Sequence, residues 1–180
     1  DCYGNGTCDD GLVCEDDRCV QAPVDAAPPP DACNGGEPPA VLFLNRCNET
    51  FAFFPGEMDS RTNRAPFLTE TVQLAPYPHG DTSWNLVVAR VREHLLPFHI
   101  EVTEIDPAPE PHHEAVICGG TGAVMFVGDP EGAAVYPNCE LIPNSLAFTF
   151  ADRMGDSPEY IADAAVRHAA MAWGVEYTGE

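Results

Sequence analysis

Five residues near the end of the chain have types and a spacing that bear on metal chemistry: Arg167, His168, Met171, Gly174 and Tyr177. Positions four apart share one face of a helix, so two histidines in the places of Arg167 and Met171 would chelate one zinc ion. A glycine three residues further on would let the chain turn and bring in a third ligand. A carboxylate beside the first ligand would polarise metal-bound water. Here Gly174 keeps the turn, but the chemistry has changed. An arginine in the first ligand position cannot deprotonate and repels a cation. A methionine in the second is a soft thioether, suited to copper(I) more than to zinc. His168 and Tyr177 are the other two side chains of the set with polar chemistry to offer. The residues therefore imply no metal or cofactor at Arg167, Met171 and Tyr177. Zinc would be the ion if the site worked after all.

Other chemistry-bearing residues read as ordinary structure. His112-His113-Glu114, with Glu110 nearby, is the one paired histidine, but adjacent histidines point in different directions. A solvated loop after the proline-rich 106–111 stretch is expected there. His94 and His99 are expected at the surface, and His79 in a Pro-His-Gly turn. A metal shared between His168 and His99 or His79 is the alternative use of these rings. Glu57, Asp59 and Asp81 could form a calcium loop, but turn chemistry accounts for them. No Gly-x-Ser-x-Gly elbow occurs, so a serine hydrolase is unsupported. Asn5-Gly-Thr7 and Asn48-Glu-Thr50 fit the glycosylation sequon.

The 180 residues carry a net charge of −21, and all eight basic residues are arginine. So acidic a surface repels phosphate backbones and anionic lipid, which argues against nucleic-acid and membrane-surface partners. No run is long and apolar enough for membrane insertion, and no signal peptide is visible, so the chain reads as a mature or trimmed form. Cys2, Cys8, Cys14 and Cys19 crowd the start; Cys33, Cys47, Cys118 and Cys139 follow. Eight cysteines at such density imply disulfides and a secreted or cell-surface setting. Local spacing favours Cys33–Cys47 and Cys118–Cys139, with the pairings inside the first group open.

These residues need elements to position them. Residues 1–20 form a disulfide-rich mini-module, 21–39 a proline- and alanine-rich linker, and 40–180 the globular domain. In that domain 40–45 predicts a buried strand and 51–54 its hairpin partner. Trp84, Val87, Val88, Val91 and Leu95 form one apolar helical stripe, with Asp81 as N-cap and Pro97 as stop. Strands are expected over 98–103, 114–118, 123–127 and 146–150. A last helix runs from Ser157, with Pro158 in its first turn, to Gly174. The fold class is thus α/β of the α+β kind: a twisted mixed β-sheet with two main helices.

That order of elements, with Val91–Pro107, Asp59–Arg64 and Ile142–Phe150, resembles the N-terminal subdomain of metzincin zinc metallopeptidases, of the secreted bacterial, myxobacterial type. The family's His-Glu-x-x-His-x-x-Gly-x-x-His motif falls on Arg167, His168, Met171, Gly174 and Tyr177 in degenerate form, and the resemblance puts His168 in the slot of the catalytic base and Arg167, Met171 and Tyr177 in the ligand slots. The family also has a lower subdomain after the glycine, for which the chain ending at Glu180 leaves no room. The resemblance implies a catalytically inactive peptidase-like protein serving as a binding or structural module. Its expected partner is an extracellular protein or peptide held beside the last helix. The alternatives are an active metal-dependent peptidase with a non-standard site including His168, or a truncated form of a longer zinc peptidase.

Overall fold

The computed structural model describes residues 12–15, 18–21, 41–48, 51–98, 100–120, 131–135 and 141–175. The chain divides into two compact units, Asp1–Ala32 and Cys33–Glu180. In the first, strands β1 (Leu12–Glu15) and β2 (Arg18–Gln21) pair antiparallel, with Cys14 opposite Cys19. Only two residues separate them, the usual length of a hairpin turn. Cys2, Cys8, Cys33 and Cys139, and the linker from 22 to 39, lie outside the described residues.

The second unit contains β3 (Val41–Asn45), β4 (Phe51–Pro55), β5 (Arg64–Ala65), β6 (Val72–Leu74), α1 (Gly80–Leu95), β7 (Glu101–Thr103), β8 (His113–Cys118), β9 (Gly132–Ala133), β10 (Leu146–Phe150) and α2 (Pro158–Ala172). Its main sheet has the order β7-β3-β8-β10-β9. The first four strands run parallel, and β9 closes one edge antiparallel to β10. This is a mixed sheet with two helices, an α+β architecture as expected from the sequence.

Both faces of the sheet are covered. Leu42, Leu44, Ala115 and Ile117 pack under the α1 stripe and under Ile161 and Ala165 of α2. The five stripe residues read from the sequence are all buried. On the other face Val116, Phe148 and Phe150 pack against Phe53, Val72 and Leu74 of a smaller sheet ordered β5-β4-β6. Phe148 meets Phe53 and Phe67 edge to face at 5.0 and 5.5 Å, a favoured aromatic geometry.

Three expectations are corrected here. Strand β4 does not pair with β3, because β3 already has β7 on one side and β8 on the other; β4 joins β5 and β6 instead. Helix α1 has its N-cap at His79, two residues before Asp81, whose carboxylate accepts from Arg46 Nη2 at 2.7 Å. Cys47 and Cys118 pair with each other, rather than Cys47 with Cys33 and Cys118 with Cys139. The reason lies in the sheet: Asn45 is in register with Val116, so two residues on the same chains reach each other, with Cα atoms 5.8 Å apart. The predicted strand over 123–127 lies outside the described residues.

The Cys47–Cys118 link closes a loop with a sequence separation of 71. Its chief effect is to restrict the unfolded chain, worth about 4 kcal/mol for a loop of this size. Urea unfolding of the Cys47→Ala/Cys118→Ala double variant is expected to show a loss of that order. An unchanged midpoint would show that the link adds nothing to the fold.

Candidate functional site

Helix α2 begins at Ser157 as N-cap, with Pro158 in the first turn where its missing N–H costs no bond. It ends at Gly174, whose φ of +80° is the left-handed conformation glycine adopts without strain. Ile161, Ala162, Ala165 and Ala169 face the core, and the small side chains let the helix lie close to the sheet. Tyr177 lies outside the described residues.

The structure separates His168 from Arg167 and Met171 by helix face. His168 is buried against the sheet, its Nδ1 3.0 Å from Thr149 Oγ1 on β10. Its ring fills the space a side chain on Gly132 would need: a Cβ there would stand 2.1 Å from His168 Cε1 and 2.3 Å from the Phe148 carbonyl oxygen. Glycine is therefore required at that point of β9. His79 is engaged elsewhere, with Nε2 3.0 Å from the Ala151 carbonyl and its ring on Tyr77. A metal shared by His168 and His79 thus has no support, and His99 lies outside the described residues.

Arg167 and Met171 face the other way. Both line a groove of about 430 Å³ together with Tyr160, Asp163, Ala170 and Val175 of the same helix region and His94 at the end of α1. His94 Nε2 reaches Asp163 Oδ1 at 2.7 Å, joining the two helices at the groove wall. Arg167 Nη2 donates to Glu131 Oε2 at 3.3 Å, and the Tyr160 hydroxyl donates to Glu131 Oε1. Glu131 went unnoticed in the sequence. The seven-residue spacing of Tyr160 and Arg167, two turns on one face, was its only local signal.

The His112-His113-Glu114 segment is not a solvated loop. All three residues are almost fully buried, His113 and Glu114 as the first two of β8 and His112 just before it. The two rings do diverge as expected of neighbours on a strand. His113 turns toward Trp173, with ring centroids 5.8 Å apart, and pairs through Nδ1 with Ser145 Oγ. Burial lowers its pKa to about 3, helped by the neighbouring His112, so it is neutral at ordinary pH. Glu114 Oε1 accepts from Asn45 Nδ2 at 2.7 Å. Burial pushes its carboxyl up to about 8, against the opposing effect of the Asn45 bond. Beside it a polar cavity of about 660 Å³ opens at the carboxyl ends of β3 and β7, with Asn45, Arg46, Asn63, Glu104 and Asp106 on its walls. Asp59 caps a short 3-10 turn, Ser60–Thr62, and binds Arg61 at 2.8 Å, so turn chemistry accounts for it.

No family model matches the chain, and no curated protein or solved structure matches it either. Among the described residues no group of three or more His, Cys, Asp and Glu side chains is placed to hold a metal ion. Nor, among them, is any helix long and apolar enough to cross a membrane.

Two buried groups set opposite pH slopes on stability. The unfolded chain releases the Glu114 proton near 4.5 and the folded chain only near 8, so stability falls as pH rises through that interval. The unfolded chain protonates His113 near 6.5 and the folded chain only near 3, so stability falls as pH drops through that interval. Between about 4.5 and 6.5 the two slopes cancel. Thermal unfolding in EDTA is expected to show Glu114→Gln removing a fall in stability between pH 6.5 and 8, of up to about 1.4 kcal/mol per unit. Parallel profiles for the two proteins would contradict an acid held neutral in the core.

Proposed function

We propose that the chain is a secreted, metzincin-like domain that retains the scaffold of a peptidase without its zinc chemistry, and that it acts as a non-catalytic module binding an extracellular peptide or protein segment. The observation that carries this reading is the division of α2. Arg167 and Met171, the ligand-slot pair, open into one groove, while His168 is committed to Thr149 and packed on Gly132. A guanidinium and a thioether then occupy the face on which two imidazoles would meet a metal. The order β3, α1, β7, β8, β9, β10, α2, interrupted only by the small sheet, supports the ancestry. The Cys47–Cys118 disulfide supports an oxidising compartment.

The groove suits a peptide rather than a reaction. Its floor is apolar, from Ala164, Ala170, Met171 and Val175, and its rim carries Arg167 and Asp163. Apolar floors give affinity, and a few fixed polar groups give orientation.

Elemental analysis of protein purified without chelators, paired with casein cleavage in the presence and absence of zinc, tests the loss of chemistry. No cleavage and no metal held through His168 are expected. Stoichiometric zinc or copper released by His168→Ala would overturn the reading in favour of an active metalloenzyme. For the groove, binding of the intact chain to a random-sequence peptide array should drop at least about tenfold with Met171→Asp, roughly 1.4 kcal/mol. Equal signals from both proteins would remove the groove from the proposal.

A further inference from the structure

The imidazole of His112 is held in a state that calls for a partner it does not have. Its Nδ1 lies 2.8 Å from the Glu110 carbonyl oxygen. A carbonyl only accepts, so Nδ1 carries a proton, and Nε2 is the ring atom left to serve as a ligand. That side chain is wholly buried, and Nε2 has no hydrogen-bond partner. An unsatisfied buried acceptor costs about 1–3 kcal/mol, so an arrangement like this one asks for an explanation. The carboxylate of Asp106 stands close by, its Oδ1 4.0 Å from Nε2. Asp106 is itself oriented, since Oδ1 also accepts from the Ala108 N–H at 2.8 Å, and it lines the polar cavity described above.

We propose that His112 Nε2 and Asp106, which lines this cavity, are the two protein ligands of a divalent transition-metal site at the cavity's edge. A ligating histidine characteristically donates its other N–H to a carbonyl or carboxylate, which fixes the tautomer and aims the lone pair. The Glu110 carbonyl does that here. One imidazole and one carboxylate suit zinc, nickel or copper(II) better than calcium or magnesium, which take oxygen ligands throughout. Metal–nitrogen and metal–oxygen bonds are about 2.0–2.2 Å, giving roughly 3.4 Å between two ligand atoms on a tetrahedral ion. Asp106, half exposed on its loop, would close by about half an ångström. The remaining positions of such an ion would be met from the side of Asp106, by water or by an anionic or carbonyl-bearing small molecule in the cavity. Glu104 on the cavity wall is already engaged by Trp84 Nε1 at 2.8 Å and Arg92 Nη2 at 3.3 Å, which leaves Asp106 as the carboxylate for the ion. The site is separate from the α2 groove and does not rest on the binding-module reading.

Calorimetric titration of the intact, chelator-stripped chain with zinc chloride, repeated with nickel chloride, tests it. One ion per chain is expected, with affinity lowered at least about tenfold by Asp106→Asn and by His112→Gln, and unaltered by His168→Ala. Asp106 is half exposed, so its variant keeps the test open if His112→Gln does not fold. Nitrogen NMR of the His112 ring should show the Nδ1-protonated neutral form, with Nε2 shifting on metal addition. A doubly protonated His112 ring paired to Asp106, with no metal-dependent shift, would overturn the proposal. So would zinc binding that both site variants retain. Binding lost with His168→Ala alone would instead count against the reading of the α2 face.

Discussion

Strand β8 is buried on both of its faces along its whole length, and most of the second unit follows from that. A strand with parallel neighbours on either side and layers above and below has no solvent to satisfy its polar groups. Its apolar residues divide cleanly: Ala115 and Ile117 toward the helices, Val116 and Cys118 toward the small sheet. Its polar residues do not have that freedom. His113 must find Ser145, and Glu114 must keep its proton and take the Asn45 amide. At the far end of the strand Cys118 is tied to Cys47. Parallel α/β sheets commonly bind ligands outside the carboxyl ends of their strands. Here the β3–β8 exit is closed by the disulfide and by the Ala75–Gly119 bridge. The open cavity is displaced one strand over, to the carboxyl ends of β3 and β7.

The same accounting explains α2. A helix packed on a sheet has one face whose contacts are dictated by the core and another that is free to change. His168 belongs to the first face: removing it would leave a void beside Gly132, and enlarging Gly132 would collide with it. Arg167 and Met171 belong to the second, and their neighbours Glu131 and Tyr160 satisfy the guanidinium without calling on the core. Side chains on such a face can change with little consequence for the core.

What could be read from the sequence divides along the same line. The stripe from Trp84 to Leu95, the proline–glycine bracket around α2 and the apolar cores of β3, β8 and β10 are local signals, and local periodicity is enough to expose them. The Cys47–Cys118 pairing is a matter of register between strands far apart in sequence, and spacing carries no trace of it. His112-His113-Glu114 misled because three polar residues after a proline-rich stretch have the composition of a loop. The strand expected from Glu114 in fact starts at His113, and the burial of both sheet faces shuts His112 in just ahead of it. Glu131 and Gly132 were silent for a related reason: their roles exist only once β9 lies beside α2. Of the site residues, the spacing of Arg167, His168, Met171 and Gly174 was legible, but not that His168 would face away from the other two.

Charge sets the remaining term. With eight arginines among twenty-nine acidic residues, cations are scarce, and several described ones are spent locally: Arg46 on Asp81, Arg61 on Asp59, Arg90 on Glu93, Arg92 on Glu104 and Arg167 on Glu131. Exposed pairs of this sort add little to stability. Their larger consequence is to leave the excess carboxylates unneutralised, so the surface potential is negative and mobile divalent cations gather around the chain. A cation drawn to that surface gains little from any single solvated carboxylate. It gains more where desolvation has already been met and a nitrogen lone pair is held in place, and His112 beside Asp106 is such a point. The negative field brings cations near the chain, and the buried imidazole decides which of them stays.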